Sequence, residues 1–261
     1  MTALRNVGYI FQKELRQYFA SPIAYVALAA WALLFGIFFN VMVGWFLSLS
    51  MRSMSGMGMG GNLSLNDIVI SRVLQQMSVV VLFLAPMLTM RLFAEEKRQG
   101  TIELLATSPI TDLEIVVGKF LSAFCLYAIM LVAGLLNFAL LWMYATSQPD
   151  WRPLLVGALG LLLLGACFIA LGEFISSLTR NQIVAGILSF CAFLGIWVLG
   201  WFDEPTAGTF MKAIGYLGIT NHLEDFTKGI VTLKDVVYYL SVVTFGLLLT
   251  HQWVETQRWR A

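Results

Sequence analysis

The chain has 261 residues, of which 59% are hydrophobic and only 12% charged, with a mean hydropathy of +0.81. That composition excludes a soluble globular domain, and a net charge of +1 gives no electrostatic footing for nucleic acid. Long apolar runs separated by short polar stretches define an all-α membrane protein. Cys125, Cys167 and Cys191 all lie inside apolar runs and form no C-x-x-C pair, so they read as small packing residues. A cleavable signal peptide is not expected, because the first apolar run starts only after about 20 residues and is too long for an h-region.

Residues 1–21 read as an amphipathic helix in the membrane interface. Leu4, Val7, Phe11, Leu15 and Tyr18 fall within an arc of about 80° at helical spacing, with Arg5, Lys13 and Arg16 opposite. Glu14, at the edge of the apolar arc, is the one flaw. Residues 22–261 read as a six-helix transmembrane domain. Ser21-Pro22 opens the first span, expected from about Pro22 to Leu47. The stretch from Ser48 to Asn66 is rich in Gly, Ser and Met. Thioethers at Met51, Met54, Met57 and Met59 could bind Cu(I), but a flexible linker that carries Met is the preferred reading.

The second span covers about Val73 to Phe93, with a kink expected at Pro86. A polar island follows at residues 95–111, EEKRQGTIELLATSPIT. Glu95, Glu96, Lys97 and Arg98 come first. Gly100 then offers the positive φ that ends a helix, and Thr101 can cap a new one. Ser108-Pro109 stops that new helix within about two turns. Thr111-Asp112-Leu113-Glu114 is a capping box for the third span, about Ile115 to Ala145. Lys119 near its start is expected to snorkel to the headgroups, and Asn137 to bond a neighbouring helix.

Gln148-Pro149-Asp150 turns the chain into a fourth span, about Leu154 to Ser177, whose Gly157, Gly160 and Gly165 permit close helix approach. Glu173 reads as a boundary acid, hydrated or paired with Arg180. A polar hairpin at 176–182 leads to the fifth span, about Ile183 to Phe202. The outer segment 203–234 has no spanning run; Asn221 with Glu224 and Thr232 with Asp235 have the spacing of helix caps. His222, Glu224 and Asp225 are explained there by capping and surface solvation rather than by a metal. The sixth span runs from about Val236 to Val254, and Arg258-Trp259-Arg260 anchors its end.

With both termini inside, the inner segments hold Arg5, Lys13, Arg16, Arg91, Lys97, Arg98, Lys119, Arg180, Arg258 and Arg260. The outer ones hold Arg52, Arg72, Arg152, Lys212, Lys228 and Lys234, a modest positive-inside bias. No G-x-x-x-x-G-K-[ST], H-E-x-x-H or nucleophile elbow occurs, so no catalytic, metal or cofactor-binding residue is assigned.

The run from Glu95 to Leu105, followed by Thr107-Ser108-Pro109-Ile110-Thr111, resembles the coupling-helix segment of type 2 ATP-binding-cassette (ABC) transporter permeases. The likeness extends over nearly the whole chain and is greatest to the gliding-motility and copper-enzyme-maturation permeases. It implies a non-catalytic permease subunit with six transmembrane helices, an in-plane N-terminal helix and an outer re-entrant gate at 203–234. It also implies a short cytoplasmic coupling helix that docks on a separate ATPase through Glu95, Glu96, Lys97, Arg98, Gly100, Thr101, Ile102, Glu103, Leu104 and Leu105. Two ATPase copies, which bind the ATP and Mg, and a second permease subunit would complete the assembly, in a bacterial or archaeal cytoplasmic membrane. A membrane protein not driven by ATP, either a secondary transporter or a structural anchor, is the competing class. A proton- or sodium-coupled carrier should bury several ionisable groups at mid-bilayer, and few are present.

Overall fold

The computed structural model describes residues 2–54, 64–101, 110–144, 150–202 and 209–258. All regular structure among them is helical. Helix α1 is Thr2–Ala20 and α2 is Pro22–Met54; a five-residue π-helix, Asn66–Ile70, leads into α3, Ser71–Thr89. The short α4, Ala94–Gln99, precedes α5, Asp112–Leu135, and α6, Asn137–Tyr144. Then come α7, Trp151–Leu178, and α8, Gln182–Leu199, which ends in a 3-10 turn. The last elements are α9, Thr209–Tyr216, α10, Leu223–Thr227, and α11, Leu233–Arg258. Six helical stretches among the described residues are long and apolar enough to cross a membrane, which makes the chain a multi-pass membrane protein.

Burial ranks the spans. The most apolar window of the α3 span is 72% buried and that of α7 is 61%, against 22% for α2, 28% for α11 and 17% for α8. The centre is therefore α3 against α7, and the other spans wrap it with one face each. Helix α2 shows how. Ala24, Ala27, Trp31, Phe35 and Phe39 recur every three or four residues and are buried, whereas Tyr25, Leu33, Ile37 and Val41 are exposed. The ring of Trp31 meets Tyr127 edge-on at 6.1 Å, and Phe35 meets Phe138 at 5.7 Å.

Small residues let α7 sit at the centre. A Cβ on Gly165 would lie 2.1 Å from Tyr127 of α5, and one on Gly172 would lie 2.3 Å from the Thr89 hydroxyl of α3. Gly157 and Gly160 face Leu74 and Phe226 in the same way. The expected close approach is made.

Several details differ from expectation. The first span continues as helix to Met54, so Met51 belongs to α2; Met57 and Met59 lie outside the described residues. The third span breaks at Leu136. Asn137 donates to the Gly134 carbonyl at 2.9 Å, so the backbone opened by the break, rather than another helix, takes its amide. Asn221 does not cap α10; its amide donates to the Gly200 carbonyl at 3.0 Å and ties the end of α8 to the outer segment. Thr232 does cap α11, accepting from the Asp235 amide at 3.3 Å. His222 is buried rather than solvated.

Helix α1 also buries a different stripe. Ile10, Glu14 and Tyr18 form one i, i+4 row packed inward, and Ile10 lies against Gly118 of α5. Leu4 stays 83% exposed, and Phe11 and Leu15 are partly so. The helix thus has three faces: one for the bundle, one apolar and open, one basic.

Candidate functional site

Helix α4 and the turn before it are built into the bundle by atoms from four other elements. After α3, Met90 to Phe93 form a turn, closed by the Met90 amide on the Pro86 carbonyl at 2.9 Å. The Arg91 guanidinium donates to Ser21 Oγ at 2.7 Å, and the Tyr18 hydroxyl to the Leu88 carbonyl at 2.6 Å. Burial, and then the carboxylates of Glu14 and Glu173, raise the Tyr18 phenol above its ordinary pKa, so it remains a donor. The first amides of a short helix have no partner of their own. Here Ser176 of α7 supplies one: its Oγ accepts from Phe93 N at 3.1 Å and Ala94 N at 3.2 Å.

Beneath α4 lies a buried ionic cluster. Lys119 of α5 is only 1% exposed, and its ammonium stands 3.0 Å from Glu14 of α1 and 3.0 Å from Glu96 of α4. It also donates to the Leu92 carbonyl at 2.7 Å. Lys13 reaches the other oxygen of Glu96 at 2.9 Å. Burial by itself would lower the Lys13 pKa, but Glu96 and Glu14 outweigh it and hold the group above the ordinary lysine value. With Glu96 and Glu14 against Lys119 and Lys13, the quartet is charge-balanced. Lys119 therefore does not snorkel. The apparent flaw of Glu14 on the apolar side of α1 is its counter-ion.

The far end of α4 is open. Gly100 has φ +73°, its amide bonds the Glu96 carbonyl, and the Thr101 amide reaches the same carbonyl at 3.0 Å, a Schellman-type stop. The chain is next described at Ile110 and Thr111, where the capping box forms with both bonds, 3.0 and 3.4 Å. Asn6 of α1 donates to the same Glu114 at 3.2 Å. Thr101 and Thr111, described residues on either side of 102–109, thus belong to turns that are tied to α1.

The expected coupling residues divide accordingly. Glu95 and Glu96 are buried and face inward; Arg98 pairs with Glu95 at 3.1 Å, and Gln99 also bonds it. Lys97 is half-buried and donates to the Ser177 carbonyl of α7. Arg98 and Gly100 are exposed, and Thr101 is half-buried. Ile102, Glu103, Leu104 and Leu105 lie outside the described residues. Sequence reasoning missed Glu14, Lys119 and Ser176 as members of this site; a lysine inside an apolar run and an acid on an apolar arc were its only signals. Glu173 differs too: it is fully buried, no ion pair joins it to Arg180, and neither carboxyl oxygen has a partner among the described residues. Among those residues no group of His, Cys, Asp and Glu is arranged to hold a metal.

Six helices long and apolar enough to cross a membrane, with α4 fastened among their ends, define a multi-pass membrane protein. The chain belongs to the ABC-2 family transporter proteins, whose model matches residues 8–249. It is accordingly a permease component of an ABC transporter, a family whose members associate with an ABC ATPase. No curated protein matches the chain.

Proposed function

We propose that this chain moves its substrate with energy from a separate ATPase that docks on segment 95–111, with Ile102, Leu104 and Leu105 as the apolar contacts. The observation that carries this reading is the mounting of α4: its start is held by α1, α5 and α7, while its end opens into the segment at Gly100. A push on that segment reaches three helices at once through Glu96, Lys119 and Ser176. A helix of about two turns is marginal in water, so its apolar residues need burial by something. Two ATPases and two permease subunits, either two copies of this chain or this chain with a related one, complete the assembly. The ATP and Mg belong to the ATPases; this chain binds no cofactor.

Both termini and the segment 95–111 face the cytoplasm in this reading, and the membrane is the cytoplasmic membrane of a bacterium or archaeon. The positive-inside bias supports that orientation. The open apolar side of α1, with Leu4, Phe11 and Leu15, then rests on the inner leaflet. The gliding-motility and copper-enzyme-maturation permeases are the subgroup proposed, on sequence resemblance alone, and 203–234 is proposed as the outer gate.

Co-purification of the ATPase with the Ile102→Asp/Leu105→Asp variant tests the docking. Losing a buried contact of this kind costs about 2–4 kcal/mol at an interface hot spot, against about 8 kcal/mol in a micromolar complex. The expected outcome is a monodisperse permease that has lost its ATPase. Retained ATPase with normal stimulation of hydrolysis overturns the assignment.

A further inference from the structure

At the end of the bundle opposite α4, the outer segment is fastened to α11 through one imidazole. His222 is 4% exposed. Its Nδ1 stands 2.6 Å from Oδ1 of Asp235, and its Nε2 stands 3.0 Å from the Tyr216 carbonyl oxygen at the end of α9. The ring stacks on Tyr238 with centroids 3.9 Å apart and meets Tyr216 edge-on at 4.9 Å.

The chemistry of the two partners decides the protonation. A backbone carbonyl can only accept, and an ionised carboxylate can only accept. A neutral imidazole has a single N–H, so it serves one of them and turns a lone pair on the other. Both contacts are made only when the His222–Asp235 pair holds one further proton. When that proton leaves, the remaining N–H stays with the Asp235 carboxylate, which is the stronger acceptor. The bond that is lost is the one to Tyr216.

Among the described residues, the other bonds that hold this segment do not depend on the imidazole. From α11, Tyr238 donates to the Leu217 carbonyl at 2.7 Å and Tyr239 to that of Ile219 at 2.9 Å. From α9, Tyr216 presents its ring, with the Lys234 ammonium 4.8 Å from its centroid. On α10, Glu224 is exposed and paired with Lys228, and Asp225 is partly buried. From α7, the Cys167 thiol donates to the Tyr239 carbonyl. The phenol bonds hold the turn at 217–219 whatever the imidazole does.

We propose that His222 and Asp235 form a proton-binding site that fastens α9 to α11, closed when the proton is bound and released when it leaves. The sign follows: the clasp is complete on the acid side of the titration and is lost as pH rises. The site makes opening of the outer segment sensitive to the proton concentration on its own side of the membrane; this last step rests on the gate reading above.

The test uses the full permease in lipid nanodiscs with 15N-labelled histidine. The chain has two histidines, His222 and His251, so His251→Gln leaves a single ring to observe. The expected result is an imidazolium pattern at low pH that loses its Nε2 proton as pH rises. Over the same range, amide exchange at 214–217, corrected for its intrinsic pH dependence, should rise about tenfold, as for one lost hydrogen bond to a charged group. Asp235→Asn, whose amide can donate to the Nδ1 lone pair of a neutral ring, should keep α9 fastened over the whole range, and His222→Gln should show fast exchange throughout. A ring that keeps or lacks the proton over the whole range, or exchange at 214–217 that ignores its titration, overturns the proposal. If exchange follows the proton while an impermeant thiol reagent's access to Leu217→Cys does not change, the clasp stands and the gate reading fails.

Discussion

Helix α4 and the outer segment are each held by a buried ionic group, but the two groups respond to different insults. Under α4, Lys119 and Lys13 face Glu14 and Glu96, two ammonium groups against two carboxylates. In the outer segment, the partner of the carboxylate is an imidazole, a side-chain type that can gain or lose a proton near neutrality. The first group joins α1, α4 and α5 into one body; the second joins α9 to α11 through a contact that is lost when a proton leaves. In the reading proposed above, the end that receives force needs a stiff joint, and the opposite end needs one that lets go. Residue choice separates those two properties.

The comparison is broken most strongly at Lys119. Lys119→Met leaves the buried Glu14 and Glu96 to share only the half-exposed Lys13, at 3.4 and 2.9 Å. Removing one partner of a buried pair costs about 3–5 kcal/mol. Loss of monodisperse permease in detergent is the expected outcome, at every pH. Adding Glu14→Gln and Glu96→Gln to the same variant should restore much of the yield, because the uncompensated charges are then gone. Unchanged melting of the single variant would mean the quartet holds nothing.

A middle-sized effect sits between the ends, where packing rather than charge holds α7. Gly165→Ala forces a methyl toward Tyr127 and should cost about 1–3 kcal/mol. Gly195→Ala, on the exposed side of α8 with no neighbour within 4 Å, should be neutral or stabilise by up to about 1 kcal/mol. Thermal melting of both variants in one detergent checks the difference, which is expected not to vary with pH.

The smallest effect is expected at Glu173. Its carboxyl is fully buried with no hydrogen-bond partner among the described residues, so Glu173→Gln keeps the shape and removes the need to bury a charge. That variant should melt within about 1 kcal/mol of wild type, or above it. A large destabilisation would place Glu173 among the structural ionic groups beside Lys119.

Local rules made much of this legible in advance. The six spans follow from run length, the stop at Gly100 from a residue that tolerates positive φ, and the capping box at Thr111 and Glu114 from spacing within one turn. The glycines of α7 likewise permitted the close contact that the packing makes. Each of those signals lies within a few residues of the feature it predicts.

Pairing across the chain was decided only by the tertiary structure. Glu14 and Lys119 are 105 residues apart, Lys13 and Glu96 are 83 apart, and Ser176 caps an amide 83 positions earlier. A charge in an apolar run states that it needs a partner and says nothing about which one, because burial of ions is a property of the assembled core. The same holds for His222. Its sequence neighbours, Glu224 and Asp225, suggested a solvated turn, whereas its partner is Asp235, brought up by the next helix. Composition and periodicity thus determined the helices and their number; which charges face one another was settled when the helices packed.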